Sequence, residues 1–203
     1  MDKQNDPRAG YLTIASKQFA ANGYHGVSLA ALAEEAGVSK QALLHFFGTK
    51  QRLYSEVLSG LASRQLTEIE SAKHADPMMH LKVYFSRFLA SNLSRPDDAR
   101  LTVRALLDVH ENARVWPMKA YLDRLLEISS HTPVGLSAGQ TDLRARVFHV
   151  IGAVQYFAIS LDAISGMYGK ANAKILARSF SHQISDTLDN LLGADNATDT
   201  PSK

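Results

Sequence analysis

Between Ser39 and Ser55 the chain carries Lys40, His45, Lys50 and Arg52 and not one carboxylate. That is a local charge of +3, with a histidine beside it, in a protein whose total is only +2. A cluster of cations free of acids is suited to neutralising phosphates, and the counterions it releases supply an affinity that falls with salt. The near-neutral total gives no such signal, so the argument rests on local charge. The residue patterns of enzymes do not appear. We find no Gly-rich phosphate loop, no nucleophile elbow, no His-Glu-x-x-His and no metal-ligand spacing among the eight histidines. The sequence therefore calls for no catalytic residue, metal or cofactor.

The elements that must position these cations lie in residues 28–50. Ser28 offers a hydroxyl to cap a helix whose inner stripe is Leu29, Leu32, Ala33 and Ala36, while Glu34 and Glu35 face solvent. Gly37 breaks that helix, and Ser39 caps the next, with Leu43, Phe46 and Phe47 turned inward. A small Ala33, then Gly37 four residues on, then Val38 plugging the angle, with Leu32 and Leu43 packing across it, is the order a helix-turn-helix requires. In that motif the second helix lies in the major groove of DNA. Gly48-Thr49 ends it, and Thr49 caps a fourth helix starting at Lys50.

Around this motif the 203-residue chain reads as all-α, with about nine helices. The first spans Arg8 to a stop at Asn22-Gly23, with Leu12, Ala15, Phe19 and Ala20 at helical spacing. The fourth carries Leu53, Val57, Leu58, Leu61 and Leu66 and runs to about Ser71. Further helices are expected over residues 79–93, 99–112, 118–128, 141–168 and 172–192, the third of these opened by Trp116-Pro117. The expected organisation is a three-helix helix-turn-helix domain at 8–58 and a helical ligand-binding and dimerisation domain at 59–193. Residues 1–7 and 194–203 read as disordered tails.

An apolar fraction of 45% and a charged fraction of 21% suit a soluble globular protein. The absence of cysteine excludes disulfides and thiolate zinc sites and fits a cytoplasmic location. The polar start is no secretory signal. The most apolar stretch, 147–161, is interrupted by His149, Gly152, Gln155 and Ser160, short of the roughly 18 unbroken apolar residues of a membrane span.

Residues 8–58 resemble the N-terminal domain of the TetR family of bacterial transcriptional regulators. The resemblance rests on Ala15-Ser16-Lys17-Gln18-Phe19-Ala20-Ala21-Asn22-Gly23-Tyr24, on the run from Ser28 through Lys40, and on His45-Phe46-Phe47-Gly48-Thr49-Lys50 with Leu53. It implies a homodimeric repressor, released from a palindromic double-stranded DNA operator when a small-molecule effector binds the C-terminal domain. It also implies site residues: Ser28 touching phosphate, Ser39, Lys40, Gln41, Ala42 and His45 on the recognition helix, and Lys50 on a phosphate. Two positions depart from the family pattern. Gln41 stands where Gly is common, and Leu44 where Tyr is common. Leu44 has no hydroxyl to give a phosphate, so that contact is lost or passes to His45. Gln41 has a side chain suited to pairing with adenine.

Beyond the motif, the last two helices are the expected dimer interface. The final one carries Leu176, Phe180, Ile184, Leu188 and Leu191. Its partner is apolar around much of its circumference, at Val147, Phe148, Ile151, Val154, Phe157, Ala158, Leu161 and Ile164. Such a helix is buried on more than one side, as in a four-helix bundle between two subunits. Ligand contacts are expected among Phe85, Phe88, His110, Trp116, Tyr121, His149, Gln155 and Tyr156, where aromatic and polar groups mix. His149 and Gln155 stand out as polar groups in an apolar helix that would need a partner. An activator of the same fold, or an adaptor that has lost DNA binding through Leu44, stays open as an alternative.

Overall fold

The computed structural model describes residues 7–108 and 118–193. Among them are nine α-helices and no strand: α1 (Pro7–Gly26), α2 (Leu29–Glu35), α3 (Lys40–Phe47), α4 (Lys50–Ser71), α5 (Pro77–Ser94), α6 (Pro96–Leu107), α7 (Lys119–Ser129), α8 (Gln140–Tyr168) and α9 (Lys170–Leu192). The chain divides into two compact units, one of Met1–Leu66 with Asn92–Tyr121, the other of Thr67–Ser91 with Leu122–Lys203. The tails at 1–6 and 194–203 lie outside the described residues, as do His110, Trp116 and the end of the helix expected over 99–112. Pro7, expected in the disordered arm, instead opens α1, where a proline's missing N–H costs nothing.

In the first unit, α1 buries Ala15, Phe19 and Ala20 and breaks at Gly23, whose φ of 69° only glycine adopts freely. One further turn then delivers Tyr24 to the core. Leu32 and Ala33 of α2, Leu43 and Phe47 of α3, and Leu53, Tyr54, Val57, Leu58 and Leu61 of α4 close around Phe19. Leu101 and Ala105 of α6 belong to the same cluster. α6 starts with Pro96 in its first turn and Asp97 and Asp98 beside it, the acidic sign that a helix N-terminus favours. Arg64 of α4 donates to Asp98 Oδ1 at 2.8 Å.

Two expectations shift here. Phe46, expected inward, is 38% exposed, while Phe47 is 2% exposed. Leu43 and Phe47, four residues apart, share the inner face, and Phe46 lies at the rim with its ring edge-on to Tyr11 at 5.3 Å. Glu35 is exposed as expected, but it also accepts a hydrogen bond from the Gln18 side chain and so ties α2 to α1.

The second unit is built on α5, α7, α8 and α9. Leu81, Tyr84, Phe85, Phe88 and Leu89 of α5 are all buried, and Tyr84 stacks on Phe88 at 5.6 Å. Arg124 of α7 donates to both carboxylate oxygens of Glu70, at 2.6 and 3.3 Å, which holds the Glu70 carboxyl below its ordinary range. α8 and α9 form a hairpin across Gly169, whose φ is 84°. Phe157 and Phe180 stack at 4.1 Å between them. Arg146 donates to the Leu191 carbonyl near the end of α9 at 2.9 Å, where a cation offsets the helix dipole.

By length and composition, α8 meets the requirement for a bilayer span, with a window of mean hydropathy 1.6. The interruptions noted over 147–161 do not bring it below that level. The core helix of a soluble protein passes the same test, and 39% of the window is buried within the chain.

The inner-face assignment on α3 has a direct consequence. Phe47→Ala should lower stability by about 3–5 kcal/mol through a core cavity, whereas Phe46→Ala should cost only about 1 kcal/mol, the scale of one aromatic pair. Urea midpoints of the two variants measure this, and the reverse ranking would put the wrong phenylalanine in the core.

Candidate nucleic-acid interface

The turn between α2 and α3 is closed by backbone alone. Gly37 takes a φ of 67°, its N–H reaches the Glu34 carbonyl at 3.0 Å, and the Val38 N–H reaches the Ala33 carbonyl at 2.9 Å. Each helix then starts on a side-chain cap. Ser28 Oγ accepts from the Ala31 N–H at 3.0 Å, and Ser39 Oγ accepts from the Ala42 N–H at 3.1 Å. Thr49 Oγ1 likewise accepts from the Arg52 N–H at 3.1 Å at the head of α4. All three hydroxyls stand on exposed residues.

On α3, Gln41 and His45 are a turn apart, exposed, and opposite the buried pair Leu43 and Phe47. Lys40 is exposed in the first turn, while Ala42 and Leu44 are half-buried. No acidic residue occupies the first turn of α3 or of α4, so the positive end of each helix dipole has no carboxylate in its own first turn.

Lys50 is half-buried, and its ammonium stands 4.5 Å over the Tyr24 ring. Burial lowers the lysine from its ordinary pKa, and the charge of Asp108 works the other way. An ammonium over a ring face is held by the ring quadrupole. The same burial pushes up the hydroxyls of Tyr24 and Tyr54, Tyr54 to about 12, with Asp108 adding to both. Tyr24 is the supporting residue that sequence reasoning missed. Its signals were its place directly after the Asn22-Gly23 stop and its position in the run that carries the resemblance.

The described residues named for ligand contact line neither of two grooves in the second unit. Phe85 and Phe88 lie together in the α5 aromatic cluster, their rings 6.1 Å apart. Gln155 and Tyr121 are buried, and His149 and Tyr156 lie on the exposed side of α8. In the second unit, a groove of about 190 Å³ is lined by Lys73, His74, His80, Arg124 and His131 among others. Another of about 250 Å³ lies between α7 and α8. Among the described residues, no group of three or more His, Asp or Glu side chains could hold a metal ion.

A capped helix-turn-helix in an otherwise all-helical chain defines a class of protein, and comparison with known proteins narrows it. The model of the family described as bacterial regulatory proteins, tetR family, matches residues 12–57. The HTH-type transcriptional regulator RutR of Escherichia coli (strain K12) is 32% identical over 97 residues, which is 47% of this chain and 46% of that protein. The match thus spans about half the length of the curated relative. A TetR-like transcriptional regulator from Rhodococcus sp. RHA1 superposes with a TM-score of 0.68 at 18% identity, over 93% of this chain and 96% of its own. FadR from Bacillus subtilis, solved in complex with stearoyl-CoA, superposes with a TM-score of 0.62 at 16% identity, over 88% and 98%. These two structures establish the fold. Residues 12–57 are therefore similar to the N-terminal domain of the tetR family, and the whole chain shares the fold of the two regulators.

The caps can be tested apart from any ligand. Ser28→Ala and Ser39→Ala should each lower stability by about 1 kcal/mol, and Ser39→Asn should restore most of the loss, since its side chain caps equally well. Thermal or urea unfolding decides this. An uncapped variant as stable as the native protein would mean that the hydroxyl does not hold the helix.

Proposed function

We propose that the chain is a ligand-responsive, DNA-binding transcriptional regulator, a homodimeric repressor that a small molecule releases from a palindromic operator. The observation carrying this reading is the outer face of α3. Gln41 and His45 are presented there opposite a rigid core, with Lys40 beside them and no acidic residue in the helix. In the complex, Gln41 pairs with a base edge in the major groove, and the glutamine amide matches adenine bidentately. Lys40, Lys50, Ser28 and Ser39 meet phosphate and set register. Leu44 leaves a phosphate contact to His45, whose ring is exposed.

The homodimer reading is supported by what α8 and α9 leave uncovered. Phe148, Tyr156, Met167, Ile175 and Leu176 are all large, apolar and between 43% and 72% exposed in the single chain. Large apolar side chains left exposed along two packed helices support an interaction site, and a two-fold pairing would bury the same residues on both copies. Two copies also present two α3 helices to two half-sites. For the effector, the second unit offers a primary amide, Gln155, buried on α8 beside Val154, Phe157 and Ala158. Such a group orients a mostly apolar ligand. One structural neighbour holds stearoyl-CoA. An effector acts here only through unequal affinity for the DNA-fitting and misfitting states.

Two measurements test this. With an operator selected from random duplexes, Gln41→Ala should flatten preference at one base pair, worth about 1–3 kcal/mol. Lys50→Ala should weaken all sequences alike and lower the salt slope by about 1. Unchanged base preference in Gln41→Ala removes its assigned role. For assembly, the native chain should sediment as a dimer at micromolar concentration and Tyr156→Glu as a monomer. A monomeric native chain removes the two-half-site argument.

A further inference from the structure

We infer that Arg104, in the last turn of α6, is a positioning residue for the cation that meets the DNA backbone: it fixes the end of α1 that carries Tyr24 and, through that ring, Lys50. This rests on the DNA-binding reading above. Arg104 Nε donates to the Ala20 carbonyl at 2.8 Å, and its Nη2 donates to the Ala21 carbonyl at 2.7 Å. These carbonyls lie just before the break at Gly23, where a helix end leaves acceptors short of partners. A guanidinium there satisfies two of them at once and opposes the negative end of the dipole. A methyl group added at Gly23 would fall 3.2 Å from Arg104 Nη1. The side chain therefore lies directly over the break.

One turn further along, Asp108 Oδ1 stands 3.8 Å from His25 Nε2. The end of α6 thus reaches the α1 backbone on one side of Tyr24 and the histidine on the other. Between these two contacts Tyr24 is 8% exposed, its ring packed on Tyr54 at 5.2 Å and standing 4.5 Å beneath the Lys50 ammonium. The charge of Asp108 is felt at both Tyr24 and Lys50, which places the whole group in one electrostatic neighbourhood. Arg104 lies more than eighty residues from the carbonyls it caps, as Asp108 does from His25, so both contacts at this end of α1 are tertiary. If Arg104 is removed, the turn that carries Tyr24 keeps its sequence but loses its anchor.

A purely structural Arg104 would lower stability and leave the phosphate contact alone, so the test reads the contact. Binding to a random-sequence duplex is titrated against salt, below the melting temperature of every variant. Arg104→Met should lower the salt slope by about 1, as Lys50→Ala does. The double variant should be no weaker than Lys50→Ala, because both changes remove one interaction. Arg104→Lys, which keeps the charge but can reach only one of the two carbonyls, should recover part of the slope. A native slope in Arg104→Met, or a loss that adds to that of Lys50→Ala, overturns the inference. A second measurement needs no DNA. The ε-methylene protons of Lys50 should be shifted upfield by the Tyr24 ring in the native protein and move downfield in Arg104→Met. Unmoved resonances also overturn it. A native chain that binds no duplex defeats the DNA-binding reading, and the resonance shift then decides alone whether Arg104 holds Lys50 in place.

Discussion

The left-handed turn at Gly37 is the constraint on which the first unit depends. With φ at 67°, the backbone ends α2 and returns the Val38 N–H to the Ala33 carbonyl. A side chain at Gly37 would meet no neighbour within 4 Å, so the need for glycine is conformational rather than steric. Once the turn is set, the phase of α3 follows. Leu43 and Phe47 enter the core shared with Phe19 and Leu53, and Gln41 and His45 must then point away. The outward residues are placed by burial of their opposites, and their own interactions contribute little to where they stand.

That division explains how the surface tolerates an arrangement that does little for the fold. Lys40 sits in the first turn of α3, where a cation is opposite in sign to what the helix dipole favours. Lys50, at the start of α4, is partly desolvated besides. Neither position is what helix stability alone would select. Both are compatible with an anion supplied from outside, and the core beneath them, with Phe19, Leu53 and Tyr54 fully buried, is large enough to carry their cost. Near-neutral net charge then reflects acids placed elsewhere, in pairs such as Arg64 with Asp98 and Arg124 with Glu70.

Much of this could be read from the chain because it is local. Helix caps depend on residues three apart, the turn on a single glycine, and amphipathic stripes on a period of 3.6. Ser28, Ser39 and Thr49 were visible as caps for that reason. The choice between Phe46 and Phe47 was not, since residues three and four beyond Leu43 both satisfy helical spacing and only packing against α1 and α4 separates them. Nor could the sequence reveal that α6 packs on α1. Its stripe shows that one face is buried but not against what. The Tyr24–Lys50 stack and the reach of Arg104 to Ala20 and Ala21 share this character. Both join residues remote in sequence through a tertiary arrangement that no period encodes. The ligand contacts were least legible, because aromatic and polar residues mix in any core.

The same reasoning bears on α8, whose hydropathy alone would permit a bilayer. A helix facing lipid is apolar on its outer side and packs inward through small or polar residues. α8 instead buries Val147, Val150, Ile151, Val154 and Phe157 within its own chain and also exposes Phe148, Tyr156 and Met167. Asp142, Arg144 and Arg146 crowd its first two turns, and Arg146 is committed to Asp142 and to the end of α9. Its outer face is interrupted by His149, Gly152 and Ser160. A surface alternating large aromatics with small and polar residues fits the ridges and grooves of another helix better than a uniform hydrocarbon. Two apolar sides on one helix therefore suit two protein neighbours, α9 on one side and, in the homodimer proposed above, a second copy on the other.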